Sequence, residues 1–202
     1  MSDLVERGLD TTQGVLCVLD GSKALRRAVR DVLGERSPVQ RCIRHKERNV
    51  LDHLPERDRA GVRRRLRAAW DDTNHDRALD RLEQLAGELA HTHPGAAGSL
   101  CEGMAETLTL TRLGITGSLT RTLASTNPIE SMIECVRRTS RNVKRWQSGE
   151  MALRWTAAGM LEAERQFRRI IGYQQLAALA VAIEHDLVLP VTTEEAAALV
   201  SA

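Results

Sequence analysis

Two carboxylates stand out because each has the surroundings of a metal ligand. Asp20 closes the apolar run 15–19 and is followed by a glycine. Glu130 lies far downstream, just ahead of a basic stretch that begins at Arg137. An acid at a strand end and an acid on a later helix supply the oxygen ligands that Mg²⁺ takes beside a phosphodiester. The pattern predicts chemistry on nucleic-acid strands.

Each of the two acids also has a purely structural interpretation. An Asp before Gly is favoured in turns, because its side chain hydrogen-bonds its own backbone two residues on. Asn127 and Glu130 have the spacing of a capping box, in which the Glu reaches back to the backbone at the helix start. Glu134, one turn further along, shares a face with Glu130 and is a fallback ligand. Spacing alone leaves both interpretations open.

Cys42 and His45 have the Cys-x-x-His spacing of half a zinc site. A structural zinc ion normally needs four ligands, and the rest of the chain shows no matching second half. We therefore favour a local hydrogen-bonding role for His45 near phosphate. The residues that fail to complete a zinc site are Cys101, Cys135, His91 and His93.

A cationic cluster follows Glu130, and its spacing predicts a helix with much of the charge on one side. The tryptophan at its end can stack on a base or a sugar, which is typical of proteins that bind single strands. The alternative is a solvated helix face with the tryptophan in the core. The members are Arg137, Arg138, Arg141, Lys144, Arg145 and Trp146.

Charge and composition narrow the class of protein. The 202 residues carry a formal net charge of only +2, but basic residues also concentrate at 41–48 and 57–67. Local clusters in a near-neutral chain suit phosphate contacts, although solvated helix faces are the ordinary alternative. Aromatic residues are 2 % of the chain, so an aliphatic core of packed helices is favoured over a β-sandwich.

The expected location is the cytoplasm. The four cysteines are scattered, and the acidic start of the chain does not resemble a secretory signal, so we expect reduced thiols. No apolar segment approaches the ~18 residues that cross a bilayer, so no membrane partner is expected.

The elements that must position these residues form a mostly helical α/β fold. Apolar runs at 15–19 and 39–43 predict two parallel strands around a helix that Gly34 ends, which is one βαβ unit. From about residue 46 to 120 the periodicity is purely helical. A further helix begins sharply, with Asn127 as its N-cap and Pro128 as its first helical residue. Two strands alone leave open edges, which predicts marginal stability or self-association.

Taken together, these stretches resemble the mutator-type transposases of bacterial insertion sequences. The resemblance implies a ribonuclease-H-like catalytic domain with a helical insertion and an Asp-Asp-Glu triad on Mg²⁺. It makes Asp20 the second Asp and Glu130 the Glu, and it implies DNA with terminal inverted repeats as the partner. Cys42 and His45 match the Cys-x-x-His that the family carries behind the second Asp. The matching stretches are VLCVLDG (15–21), VQRCIRHKERNV (39–50), STNPIES (125–131), NVKRW (142–146), MALRW (151–155) and FRRIIGY (167–173).

The resemblance also implies a domain organisation. Residues 1–45 correspond to the C-terminal part of the ribonuclease-H-like sheet, 46–120 to the insertion, 121–189 to the catalytic-Glu helix and the last helices, and 190–202 to a tail. The chain resembles the C-terminal half of the catalytic region, with the first Asp on an upstream strand. We therefore expect little strand transfer by this chain alone.

Two other interpretations stay open from the sequence. One is a non-enzymatic regulatory module that binds DNA, the full-length transposase or a second copy of itself through residues 137–145. The other is a plain helical interaction protein.

Overall fold

Helices make up most of the protein. In the part of the chain that the structure describes, two short parallel strands form a two-stranded sheet. The structure is a computed structural model that describes residues 1–12, 14–34 and 37–188. The helices are α1 Ser2–Glu6, α2 Lys23–Leu33, α3 Ile43–Asp52, α4 Glu56–Trp70, α5 His75–Thr92, α6 Pro94–Cys101, α7 Thr109–Arg112, α8 Ser118–Leu123, α9 Asn127–Ser140, α10 Gly149–Glu164 and α11 Leu176–Val188. The strands are β1 Cys17–Leu19 and β2 Val39–Arg41, and short 3₁₀ turns span Ala105–Leu108 and Tyr173–Gln175.

The predicted βαβ unit is present. β1 and β2 are parallel, with Cys17 opposite Val39, and α2 connects them. Ser22 begins α2 by accepting a hydrogen bond from the backbone of Leu25 at 3.3 Å, and Gly34 ends it with φ of 90°. Both strands are shorter than the predicted runs, and β2 ends at Arg41 because α3 already begins two residues later.

Side chains cover part of the outer edge of β2, whereas the marginal stability or self-association expected from open strand edges stays a prediction. The Gln40 side chain is fully buried and donates to the backbone oxygen of Thr107 at 2.9 Å. Its own oxygen accepts from the backbone N–H of Leu110 at 3.0 Å. The Thr109 hydroxyl donates to the Val39 carbonyl at 2.6 Å. The segment from residue 107 to 110 therefore satisfies this edge through side chains, as a neighbouring strand would through its backbone.

The largest hydrophobic core lies among α3, α4, α5 and α6. The buried residues of α4 and α5 recur at helical spacing, as their sequence pattern predicts. Trp70 is held in place by a hydrogen bond from its indole N–H to the Thr107 hydroxyl at 3.1 Å. The core residues of the two helices are Val62, Leu66, Ala69, Trp70, Ala78, Leu82, Leu85, Ala86 and Leu89.

A second, smaller core forms where α11 meets α7 and α8. Leu179 and Ile183 of α11 pack with Leu110, Leu119 and neighbouring aliphatic side chains. The chain divides into two compact units, and the residues of both cores belong to the first, which comprises residues 1–125 and 171–202. The second unit comprises residues 126–170.

The second unit is the helix pair α9 and α10, and it has few buried side chains. Its buried residues are Thr126, Cys135, Gly159 and Ala163. A Cβ placed on Gly159 would lie 2.7 Å from the Cα of Val136, so the glycine lets the two helix backbones approach closely. Several apolar side chains of α10 remain exposed, including Leu153 and Leu161.

Replacing Gly159 by alanine is therefore expected to destabilise the α9–α10 pair. The added methyl group overlaps backbone atoms, which costs about 1–3 kcal/mol. The matched control is Gly87→Ala in the exposed middle of α5, where a Cβ meets nothing within 4 Å. That change should stabilise α5 by about 0.5–1 kcal/mol. Amide hydrogen exchange followed by mass spectrometry measures both, and equal protection of 126–170 in wild type and Gly159→Ala would contradict the prediction.

The sequence also predicted a ribonuclease-H-like fold, reduced cysteines and no segment that crosses a membrane. The predicted ribonuclease-H-like fold and the division at residues 45, 120 and 189 stay predictions, and the predicted tail 190–202 lies outside the described residues. All four cysteines are free thiols. Within the described ranges no helix is both long and apolar enough to cross a bilayer.

Candidate functional site

Asp20 lies at the carboxyl end of β1, the position at which open α/β sheets bind ligands. Its Oδ1 accepts a hydrogen bond from the backbone N–H of Ser22 at 2.9 Å, which is the turn that an Asp-Gly sequence favours. The residue is exposed, and within the described part of the chain Oδ2 has no hydrogen-bond partner. One carboxylate oxygen thus holds the turn while the other is available to a cation.

A buried arginine that was not among the predicted site residues lies beside this turn. The Arg41 guanidinium, at the end of β2, lies 2.6 Å from where a Cβ of Gly21 would be. Gly21 has φ of 107°, so a larger residue there would be both strained and in collision. Arg41 donates to Glu102 Oε2 at 3.1 Å, and its Nε is buried without a partner. The sequence did contain a signal for this residue. Arg41 is the one charged residue in a strand whose other residues are apolar or uncharged.

Lys46 adds a second buried cation behind Arg41. Its side chain is 0 % exposed and donates to the backbone oxygens of Ser99, at 2.6 Å, and Glu102 at the end of α6. Burial, together with the nearby Arg41 charge, lowers the pKa of Lys46 to about 8. Lys46 therefore caps α6 and fixes the segment that carries Glu102, the partner of Arg41.

Cys42 and His45 contact each other across the first turn of α3. Cys42 is fully buried, and its backbone N–H donates to the Leu19 carbonyl at 2.7 Å, one residue before Asp20. The Nδ1 atom of His45 lies 3.2 Å from the Cys42 sulfur. Within the described ranges there is no group of three or more His, Cys, Asp or Glu side chains that could hold a metal ion. The pair ties α3 to the end of the sheet.

Glu130 lies in the first turn of α9, but the predicted capping arrangement is wrong in detail. The helix starts one residue earlier than predicted, with Thr126 as its N-cap and Asn127 as its first residue. Glu130 Oε1 accepts from the Thr126 hydroxyl at 2.6 Å, so the contact runs between side chains rather than to the backbone of Asn127. Pro128 suits the first turn because its position needs no donor. The carboxylate is exposed.

The prediction that most of the basic cluster lies on one side of a helix is wrong. α9 ends at Ser140, so Lys144, Arg145 and Trp146 follow in the irregular segment between the helices. The Thr139 and Ser140 hydroxyls both bond back to carbonyls four residues earlier, at 2.9 Å, which competes with continued helix. The spacing rule therefore holds only for Arg137 and Arg138 and for Arg141 at the helix end.

The side chains of this cluster are nevertheless accessible. Trp146 is 48 % exposed, which contradicts the alternative that places it in the core. Arg137 has one weak ion pair, 3.8 Å from Glu134, at the helix surface. Within the described ranges Arg141, Lys144 and Arg145 have no carboxylate within 4 Å. An exposed aromatic ring near cations is also found in proteins that bind single-stranded nucleic acid.

The site residues belong to two units. Asp20, Cys42 and His45 are in the first, whereas Glu130 and the basic cluster are in the second. The sharing of one ion by Asp20 and Glu130 stays a prediction.

Comparison with known proteins places these features in context. A family model described as Transposase, Mutator family, matches residues 1–169. The transposase for insertion sequence element ISRM5 of Rhizobium meliloti (strain 1021) is 30 % identical over 161 residues, which are 80 % of this chain and 39 % of that protein. The transposase for insertion sequence element IST2 of Acidithiobacillus ferrooxidans is 30 % identical over 142 residues, 70 % of this chain and 47 % of that protein. The chain spans less than half the length of these relatives.

Proposed function

Because the chain belongs to the Mutator family of transposases, we propose that it provides part of the DNA-cutting and DNA-joining machinery of an insertion sequence. The family match over residues 1–169 is the observation that carries the proposal. The expected DNA partner is the terminal inverted repeat of the element, and the expected place is the cytoplasm.

In this proposal Asp20 and Glu130 are two of three carboxylates of an Asp-Asp-Glu set in a ribonuclease-H-like domain. The donors suit Mg²⁺, which prefers carboxylate oxygens, and Asp20 offers an exposed oxygen that no described residue occupies. Held by these carboxylates, Mg²⁺ would supply Lewis-acid activation of a hydroxyl nucleophile and stabilisation of the leaving oxygen. The turn at Ser22 and the Thr126 hydroxyl hold the two carboxylates in place.

The described residues supply two such acids, so we expect them to support little strand transfer by themselves. A site built from two of three carboxylates holds the reacting groups loosely, and a misplacement of ~1 Å costs on the order of 10²-fold in rate.

The basic cluster is proposed to bind DNA. Neutralising Arg141, Lys144 and Arg145 with glutamine should weaken duplex binding and reduce the slope of log affinity against log salt by about 0.9 for each phosphate that is no longer neutralised. The control is Arg7→Gln with Arg27→Gln, which removes two exposed cations, one just after α1 and one on α2. Fluorescence anisotropy over a salt series measures the slopes. An unchanged slope in the triple variant would contradict the proposal.

The Trp146→Ala variant separates the contribution of base stacking to DNA affinity from that of the positive charges. The indole is expected to stack on unpaired bases, at about 1–3 kcal/mol per base. The variant should therefore lose affinity for single-stranded DNA and keep the salt slope of the wild type. An equal loss on duplex and single strand would show that the ring has only a structural role.

A second candidate is a non-enzymatic module that binds DNA or the full-length transposase and regulates it. It is favoured by the location of the basic cluster in a unit that does not contain Asp20. In that case DNA binding, and inhibition of a full-length transposase, would both survive the double change Asp20→Ala and Glu130→Ala.

A further inference from the structure

Two separate basic clusters of the sequence meet in the first unit, across α3 and α4. Glu47 of α3 accepts from Arg67 of α4 through two hydrogen bonds, at 2.7 and 2.9 Å. The same carboxylate lies 3.4 Å from Arg63, one turn earlier on α4. Its side chain is only 12 % exposed, whereas those of Arg63 and Arg67 are 44 % and 51 % exposed. Glu47 thus fixes two outward-facing guanidinium groups.

Two further arginines extend this surface along α3. Arg44 and Arg48 are exposed and lie four residues apart, which places them on one face of α3, next to Glu47 in the chain. In residues 1–12, 14–34 and 37–188 neither has a carboxylate within 4 Å. Arg63 and Arg67 therefore share one carboxylate and Arg44 and Arg48 are paired with none of the described ones, so these four guanidinium groups carry more positive charge than Glu47 neutralises.

The excess distinguishes this surface from an ordinary solvated helix face. Arg65, also on α4, is matched to a carboxylate of its own, since it donates twice to Glu88 of α5 at 2.5 and 2.8 Å. Each guanidinium is a planar fork whose donors match phosphate oxygens, and a pair spaced by one helical turn can contact successive phosphates. We name Arg44, Arg48, Arg63 and Arg67 the α3–α4 arginine surface.

We propose that the α3–α4 arginine surface binds the phosphate backbone of duplex DNA, as a second contact besides the basic cluster at 137–145. The proposal rests on the proposed function, because it takes the nucleic acid to be the DNA on which a transposase acts. The surface consists of cations held on two helices, so it positions the duplex and does not read its sequence. It would hold DNA on the first unit, which also carries Asp20.

The test is the double variant Arg44→Gln with Arg48→Gln, in the full chain. Its affinity for a labelled duplex of unrelated sequence should fall, and its salt slope should decrease by about 1.8, which is about 0.9 for each of two phosphates. Arg44→Lys with Arg48→Lys keeps the charge and should restore the slope. The control is again Arg7→Gln with Arg27→Gln, which removes the same net charge elsewhere.

The variants are expected to fold like the wild type, because the changed side chains are exposed and make no hydrogen bond in the described residues. Thermal melts check this. A glutamine double variant with the slope of the control would overturn the proposal. The outcome is separable from the proposed function. If the 137–145 variants lose DNA binding while this double variant does not, the DNA role stands and the α3–α4 arginine surface has no part in it.

Discussion

Iron-directed cleavage of the protein backbone tests whether Asp20 and Glu130 share an ion. The Asp20→Asn variant is expected to lose cleavage near residue 130 as well as near residue 20. Fe²⁺ in place of Mg²⁺, with ascorbate and peroxide, generates radicals that cut the backbone close to the bound ion. If Asp20 and Glu130 share one ion, the wild type should be cut at both places and excess Mg²⁺ should suppress both cuts. Losing a direct ligand should weaken binding at least about a hundredfold, since even loss of an outer-shell partner costs 10–100-fold.

The substitutions in this experiment preserve local structure. Asparagine at position 20 can still accept from the backbone of Ser22, and glutamine at position 130 can still accept from the Thr126 hydroxyl. Asp80→Asn, at an exposed position of α5, is the matched control and should leave the cutting pattern intact. Retained cutting near residue 20 in Glu130→Gln, with no cut near 130 in the wild type, would show that the two acids do not share an ion.

Replacing Gln40 by leucine is expected to cause the largest loss of stability in the first unit. Leucine has a similar shape, but it leaves the Thr107 carbonyl and the Leu110 N–H without their side-chain partner in the core. Gln40 also donates to the Arg41 carbonyl at 2.8 Å. A buried polar group left unpaired costs about 1–3 kcal/mol, so three of them should cost at least about 3 kcal/mol. That is a large share of a typical domain stability of ~5–15 kcal/mol.

Urea and thermal unfolding followed by circular dichroism measure this loss. Gln84→Leu is the matched control, because Gln84 is exposed on α5 and its one hydrogen bond, to Glu88, is long at 3.4 Å. That change should alter the free energy of unfolding by no more than about 0.5 kcal/mol. Similar stabilities for the two variants would mean that the β2 edge does not depend on Gln40.

Much of the local structure could be predicted from short stretches of sequence. The apolar runs around Cys17 and Val39 predicted both strands, and Ser22 and Gly34 bound the helix between them as capping rules require. The helical periodicity of residues 46–120 predicted α4 and α5, whose buried residues recur at that spacing. These features depend on neighbours within a few residues, so a single sequence contains what is needed. The family resemblance also rests on short ordered stretches, and the family match confirms it.

Local patterns failed where neighbouring groups compete. The N-cap of α9 is Thr126 rather than Asn127, because either residue can cap a helix and the hydroxyl of Thr126 bonds to Glu130. The same helix ends at Ser140, where the Thr139 and Ser140 hydroxyls bond back to the Cys135 and Val136 carbonyls, a contact that slightly destabilises helices. Helical spacing therefore overstated how many cations share one face.

The sequence by itself determined the family, the presence and order of the two strands, and the helical periodicity of α4 and α5, since each depends on adjacent residues or on regular spacing. Only the tertiary structure decided that Gln40 covers the edge of β2, that Arg41 lies against Gly21, and that Glu47 joins α3 to α4. Gln40 and Leu110 are 70 residues apart in the chain, and Glu47 and Arg67 are 20 apart. Which polar groups pair over such separations depends on how the helices pack, because a buried group takes whichever partner the packing brings within about 3 Å.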